Sequence, residues 1–355
     1  MSIDRVAKLA GVSSSTVSRV INKHPRVAPE TAESVRKAMQ ELNYTPSDRR
    51  PGPKPASRQQ ASTWKLVFLV LGTSGTGATP AFEHLLRGVS GGAAAHEQVH
   101  LTFSHLPDPE EAPSRIVEQH ANGILLHGAA PGALARERLS RIPAVWLMGN
   151  RARPAWGDQV LPDGFGIGEL AAKYLQDRGH RHLAFFNLDQ NHWSLRMYGY
   201  SFAAAATATD PTVTVSRIEL PRQVTSDYWR DYTIESVQQV VQQYLELPER
   251  PTGIFVAEDR QVAMIQPALQ KAGVEIARGK VEIVSCNNEQ PYLVGLMPKP
   301  AVIDIRTESI GRRGVEQLLW RLEHRSVAER IITTIEPTII VPDEAPAPAP
   351  APAAR

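Results

Sequence analysis

The chain has 355 residues and a formal net charge of +2, and 42% of its residues are hydrophobic while 21% are charged, as in a soluble protein with a sizeable core. This length predicts two or three domains of about 100 to 200 residues each. No apolar run reaches the roughly 18 residues of a membrane helix, and the N-terminus lacks the apolar segment of a signal peptide. The single cysteine, Cys286, excludes an internal disulfide and a cysteine-based zinc site. We therefore expect a cytoplasmic protein without structural metal.

The charge is unevenly distributed along the chain. Residues 1–60 contain 11 Lys and Arg against five Asp and Glu, whereas the remaining residues contain 28 against 32. A basic N-terminal segment on a mildly acidic body indicates that this end of the chain meets a polyanion. A solvated basic tail is the alternative interpretation of the same excess.

Three short helices are predicted in the first 45 residues. The first carries its apolar residues at Ile3, Val6, Ala7 and Ala10, which share one helix face, and Gly11 ends it. The next two helices show the same spacing, with apolar residues at Val17, Val20 and Ile21, and at Val35, Ala38, Met39 and Leu42. A helix, a tight turn and a second helix with small polar outer residues are typical of a helix-turn-helix, whose second helix enters the major groove of DNA. A small helical bundle with a solvated serine-rich face is the alternative.

The rest of the chain divides by composition. Residues 47–63 are rich in Pro, Gly, Arg and Ser and are predicted to form an extended linker. From Trp64, apolar runs typical of buried parallel strands, such as LVFLVL, GILL and GIFVA, alternate with helical patterns. These repeats are too many for one sheet, so we expect two doubly wound parallel-sheet α/β subdomains with a ligand cleft at their strand ends. Residues 343–355 form a Pro/Ala tail that is expected to be disordered.

The first 46 residues resemble a known DNA-binding domain. The segment IDRVAKLAGVSSSTVSRVINKHPRVAPETAESVRKAMQELNYTP is similar to the helix-turn-helix headpiece of the LacI/GalR family of bacterial repressors. The resemblance implies that Ser14, Ser15 and Arg19 read bases, and Arg19 can bridge the O6 and N7 atoms of guanine. It also implies further DNA contacts for Ser13, Thr16, Ser18, Asn22, Arg26 and Tyr44. The sequence departs from the family at Ala28, where Ser or Thr usually caps the third helix.

The linker departs more strongly from this family. The family usually forms a hinge helix here, from which a leucine wedges into the minor groove, but Pro53 stands at the leucine position and Pro51 and Gly52 precede it. Prolines and glycine at this density cannot form that helix. We expect instead that Arg49, Arg50 and Lys54 enter the minor groove as part of an extended basic segment. The alternative is a basic spacer that contacts only phosphates.

The body resembles the family's periplasmic-binding-protein-like core more loosely, at dispersed motifs between Lys65 and about Pro342. The motif SLRMYGY matches R-x-x-G-aromatic, which implies effector binding by Arg196. Asn287 replaces a usual aspartate, and Glu258-Asp259 replaces a usual Asn-Asp pair, so all three are effector-binding candidates. Candidate stacking rings are Phe82, Trp146 and Trp193. An ion pair at a helix start is the alternative for Arg196, and core packing is the alternative for each ring.

The resemblance also predicts the domain boundaries. A headpiece at 1–46 and the linker at 47–63 precede an effector-binding and dimerisation domain at 64–342. Within it, we expect a first subdomain at about 64–158 and 292–323, and a second at about 159–291 and 324–342.

These observations predict a LacI-type repressor that binds a near-palindromic DNA operator as a homodimer and associates with the nucleoid through DNA. A small metabolite, a sugar or sugar derivative, is the expected effector, and no catalytic residue, cofactor, metal or membrane contact is expected. The run from His96 to His100 matches the zinc motif H-E-x-x-H, but it passes from a helix end into a strand, where both histidines cannot share one helix face. The alternatives are a solute-binding protein and a cytoplasmic enzyme that share the effector-domain fold.

Overall fold

The computed structural model describes residues 3–21, 24, 27–44, 63–72, 79–110, 120–149, 156–221 and 232–342. Contacts divide the chain into two compact units, residues 1–61 and residues 62–355. No helix within the described ranges is long and apolar enough to cross a membrane.

The first unit is a small bundle of three helices, α1 (Ile3–Leu9), α2 (Ser14–Ile21) and α3 (Pro29–Glu41). The predicted apolar faces meet in one core, whose buried members are Val6, Ala7, Val17, Val35 and Ala38. Gly11 follows α1 with a φ of 68°, a left-handed conformation that glycine adopts without strain. The Ser13 hydroxyl accepts a hydrogen bond from the Thr16 N–H at 3.2 Å and so caps α2. Helix α3 begins after Ala28 without a side-chain cap.

The second unit contains two six-stranded sheets. The strands are β1 (Trp64–Leu71), β2 (Val99–Leu106), β3 (Gly123–Gly128), β4 (Ala144–Leu147), β5 (Asp158–Pro162), β6 (His182–Asn187), β7 (Thr214–Glu219), β8 (Gly253–Val256), β9 (Glu282–Cys286), β10 (Ala301–Asp304), β11 (Ile332–Ile335) and β12 (Thr338–Ile340). The first sheet has the order β11-β5-β4-β3-β1-β2 and is parallel throughout. The second has the order β12-β10-β9-β8-β6-β7, and β12 is antiparallel to β10. The predicted pair of doubly wound sheets is confirmed.

Helices cover both faces of each sheet, which explains the continuous apolar runs of the strands. The helices of this unit are α4 (Pro80–Ala94), α5 (Ala133–Leu139), α6 (Gly164–Asp177), α7 (Trp193–Thr209), α8 (Ile234–Leu245), α9 (Asp259–Lys271), α10 (Gln290–Leu293) and α11 (Thr307–Glu323). Helices α4 and α11 pack closely together on the first sheet, where Gly88 and Gly311 allow their backbones to approach. We call the first sheet with α4, α5 and α11 the first subdomain, and the second sheet with its helices the second subdomain.

The chain crosses between the subdomains at other places than we expected. Strand β5 completes the first sheet, so the first crossing follows Pro162 rather than residue 158. Strand β10 lies in the second sheet although residues 292–323 were assigned to the first subdomain, and β11 lies in the first sheet although residues 324–342 were assigned to the second. Each crossing therefore follows the carboxyl end of a strand, namely β5, β10 and β11, and the last two strands of the chain, β11 and β12, form one edge of each sheet.

Candidate functional site

The outer face of α2 carries the residues that were predicted to meet DNA. Ser13, Ser15 and Arg19 are exposed, and the Ser13 hydroxyl lies 2.8 Å from that of Ser15 and 2.9 Å from that of Thr16. The Ser14 hydroxyl donates to the Asp4 carboxylate at 2.7 Å. Ser14 must therefore give up this hydrogen bond before it can donate to a base, whereas its oxygen can still accept from one.

Of the remaining residues that were predicted to contact DNA, the structure describes two. Ser18 is half-buried on α2, and Tyr44 is half-buried against the core of the first unit. Five predicted contacts lie outside the described residues, namely Asn22, Arg26, Arg49, Arg50 and Lys54.

A cleft opens in the second unit between the two subdomains, at the carboxyl ends of their strands. It encloses about 710 Å³ including its open mouth. The first subdomain contributes its lining from the α4 N-terminus and from the ends of β3 and β4, namely Thr79, Ala81, Phe82, Leu85, His127 and Met148. The second subdomain and its crossover contribute His192, Ser194, Leu195, Tyr198, Glu258, Arg260, Asn287, Glu289, Tyr292 and Ile305. A cleft in which apolar side chains and converging polar groups are combined is the usual form of a small-molecule site, and here the polar groups are numerous.

Three of the predicted effector residues line this cleft. The Phe82 ring stacks on the His127 ring with centroids 5.8 Å apart. Glu258 accepts a hydrogen bond from the Tyr232 hydroxyl at 2.6 Å. The Asn287 amide, at the end of β9, donates to Glu289 at 3.3 Å.

Asp259 does not line the cleft. It is fully buried, where it accepts hydrogen bonds from the Ser285 hydroxyl and the Glu289 backbone N–H. Burial raises the pKa of Asp259 to about 8. Asp259 therefore holds the loop after β9 in place from a buried position outside the cleft lining.

The other three predicted residues also lie away from the cleft lining. The Arg196 guanidinium lies 5.3 Å from the centre of the Trp193 ring, and Trp193 is 41% exposed. Trp146 is buried and packs edge-on against Trp156 with centroids 5.3 Å apart. Since side chains alternate along a strand, Trp146 on β4 faces the layer beneath the sheet rather than the cleft. Its interpretation as a stacking surface is therefore not supported by its position.

The charge balance of the cleft depends on two residues that sequence reasoning missed, Glu289 and Arg260. Burial raises the pKa of Glu289 to about 7, and the negative charge of Glu258 adds to this shift. Burial raises the pKa of Glu258 as well, which the nearby charge of Arg260 opposes. Both residues lie close to predicted effector residues in the sequence. Arg260 follows Glu258-Asp259, and Glu289 lies two residues after Asn287.

The two histidines of the cleft are neutral at pH 7. Burial lowers the pKa of His127 to about 4. The pKa of His192 falls to about 3 through burial and, secondarily, the charges of Arg260 and Arg196. The lining therefore contains two carboxylates and one guanidinium as its ionisable charges.

The zinc motif does not form a helical ligand pair. His96 follows the end of α4, and His100 lies on β2. In the part of the chain that the structure describes, no three His, Cys, Asp or Glu side chains are grouped as metal ligands.

Comparisons with known proteins agree for both units. Residues 2–47 match the family described as bacterial regulatory proteins, lacI family, and residues 172–342 match a periplasmic binding protein-like domain. The chain is 25% identical over 334 residues to the ribose operon repressor of Escherichia coli K12, which covers 92% of this chain and 94% of that protein. It is 26% identical over 351 residues to the HTH-type transcriptional repressor PurR of Vibrio atlanticus, covering 95% of this chain and 96% of that protein.

A solved structure has the same fold over nearly the whole length. It is the lac repressor dimer bound to operator and the anti-inducer ONPF, at 19% identity and a TM-score of 0.60. The match covers 96% of this chain and 98% of that chain.

Proposed function

The chain belongs to the lacI family of bacterial regulatory proteins, whose members are DNA-binding repressors controlled by a small-molecule effector. We propose that the first unit binds the DNA and that the second binds the effector. The protein acts on operator DNA as a dimer and is not an enzyme. The two rival interpretations, a solute-binding protein and an enzyme with this fold, are not favoured.

The first unit is proposed to read a near-palindromic operator in the cytoplasm, at the nucleoid. The observation that carries this proposal is the exposed polar face of α2, with Arg19 among the small hydroxyl side chains of Ser13, Ser15 and Thr16. Small side chains let a helix enter a groove about 12 Å wide, and an arginine there can form two hydrogen bonds to guanine. A two-fold symmetric dimer places two such helices on successive major-groove half-sites.

The segment between the units is proposed to add minor-groove contacts. Arg49, Arg50 and Lys54 supply three positive charges within six residues that also contain Pro51, Gly52 and Pro53. An extended basic peptide of this kind suits the narrow minor groove of A·T-rich DNA, where the negative potential is strongest.

The cleft of the second unit is proposed to bind the effector, a sugar or sugar derivative. Phe82, Glu258 and Asn287 would contact it together with Arg260 and Glu289, which line the same cavity. Arg196 and Trp193 stay predictions for effector binding. Closing or opening the cleft changes the arrangement of the subdomains, so a ligand shifts DNA affinity by its differential binding to the two arrangements.

Selection from random DNA duplexes tests the function. Wild-type protein should enrich a near-palindrome, whereas a solute-binding protein or an enzyme should enrich none. Arg19→Ala should lower operator affinity by about 1–3 kcal/mol, or about 5- to 150-fold, and relax one base position in each half-site.

The matched control is Arg36→Ala on α3, since Arg36 forms an exposed ion pair with Glu33 at 3.4 Å. It should leave the sequence preference unchanged. An Arg19→Ala protein with wild-type operator affinity would refute the assignment of α2 as the recognition helix.

A further inference from the structure

When both of its carboxylates are ionised, the side chains that line the cleft carry an excess of one negative charge. Its carboxylates are Glu258 and Glu289, its guanidinium is Arg260, and its two histidines are neutral. Arg260 is already engaged, because its Nε lies 3.5 Å from Glu258 and its guanidinium stacks 4.2 Å from the centre of the Tyr232 ring. Arg260 therefore contacts Glu258 directly, and its charge also lowers the pKa of Glu289, but by less than burial raises it.

Glu289 is held by neutral donors. Its Oε1 accepts from the Ala81 N–H across the cleft at 3.1 Å, and its Oε2 accepts from the Asn287 amide at 3.3 Å. The side chain is 4% exposed, so water screens its charge poorly. A carboxylate can accept about four hydrogen bonds, so a ligand can still donate to each of its oxygens.

A neutral ligand would remove the remaining water from Glu289 without supplying a charge. Desolvating an ionised carboxylate is costly, so the group either takes up a proton or is compensated by a cation. A ligand ammonium would provide that compensation.

The aromatic and neutral polar groups of the cavity also suit a ligand with an ammonium group. The rings of Phe82, Tyr198 and Tyr292 line it, and the faces of aromatic rings attract cations. The hydroxyls of the two tyrosines and the amide of Asn287 add neutral hydrogen-bonding groups, as a hydroxylated molecule requires.

We propose that the effector carries a protonated amino group, which Glu289 binds inside this aromatic and polar cavity. The inference rests on the proposed function, because it takes the cleft as the effector site. The expected effector is then a small amine, such as an amino sugar, instead of any sugar or sugar derivative. The carboxylate that this family usually places at position 287 is supplied here from position 289.

Matched ligand pairs test the charge directly with the full-length protein. Thermal unfolding and calorimetry would compare glucosamine, galactosamine and mannosamine with glucose, galactose and mannose, and with the uncharged N-acetylated amines. Putrescine and spermidine form a second arm that distinguishes linear amines from amino sugars as the source of the ammonium group. At least one amine should bind 10-fold or more tightly than its uncharged counterpart.

Glu289→Gln should lower the affinity for that amine at least 10-fold, and it should change the affinity for an uncharged counterpart by less than threefold. This variant keeps an oxygen that can accept from Ala81, and unfolding followed by tryptophan fluorescence would verify its fold. Glu137→Gln is the matched control, because Glu137 lies on α5 in an exposed ion pair with Arg141 at 2.8 Å. It should bind the amine as the wild type does.

Two outcomes would overturn the inference. Either no amine binds more tightly than its uncharged counterpart, or Glu289→Gln leaves the preference for the amine intact. The DNA selection is independent of this test. A palindrome enriched by a protein that shows no amine preference would reject the amine and retain the repressor.

Discussion

The close packing of α4 on α11 predicts opposite effects for two glycines on one helix. A Cβ atom at Gly88 would lie 2.0 Å from the Glu308 carbonyl oxygen, whereas ordinary contact begins at 3.4 Å. The two backbones would therefore have to separate by about 1.4 Å. Overpacking of this kind costs about 1–3 kcal/mol. Gly91 is exposed on the same helix with nothing within 4 Å of a built Cβ, so alanine there should gain about 0.5–1 kcal/mol of helix preference.

Unfolding in urea followed by tryptophan fluorescence measures both effects. All six tryptophans lie between Trp64 and Trp320, so the signal reports on the second unit. The free energy of unfolding should be about 1–3 kcal/mol lower than wild type for Gly88→Ala and about 0.5–1 kcal/mol higher for Gly91→Ala. Equal stabilities for the two variants would refute the helix contact.

Two other predictions concern a buried carboxyl and the linker. Asp259 has a pKa raised by burial from 3.8 to about 8, so the folded protein holds a proton that the unfolded chain has released, and stability falls as pH rises between these values. Asp259→Asn should therefore lose less stability than wild type between about pH 6.5 and 8, above the histidine range, in urea titrations at each pH; parallel pH curves would contradict the shift. Replacing Arg49, Arg50 and Lys54 together by Ala should remove any preference for A·T pairs at the operator centre in the duplex selection, and an unchanged preference would exclude minor-groove contacts.

The cleft shows how far site prediction from sequence reaches. Glu258 and Asn287 were found through the family resemblance and Phe82 as a candidate stacking ring, and all three line the cleft because the strand ends of parallel sheets converge on one edge. Trp146 was predicted to be a stacking ring of the same site. Which face of the sheet its side chain occupies depends, however, on how the alternating side chains of β4 are placed relative to the neighbouring strands. Residue type and spacing did not reveal which face Trp146 occupies.

The helix-turn-helix unit could be predicted almost completely because its information is local. The apolar spacing of each helix and the conformations at Gly11 and Ser13 involve residues only a few positions apart. The apolar runs of the buried strands are local in the same sense. They predicted two parallel sheets, but not which sheet β5, β10 and β11 would join, because short strands are assigned by their pairing, and β5 and β11 pair although they lie far apart in the sequence.

Only the tertiary structure decided the chemistry of the cleft. Glu289 meets Ala81 from 208 positions away along the chain, and it is buried by elements of both subdomains. Its raised pKa and the neutral histidines arise mainly from desolvation, which depends on everything packed around a group. The helix-turn-helix unit and its predicted recognition helix are therefore encoded in short stretches of sequence, whereas the carboxylate that we propose for effector binding is buried only once the two subdomains enclose it.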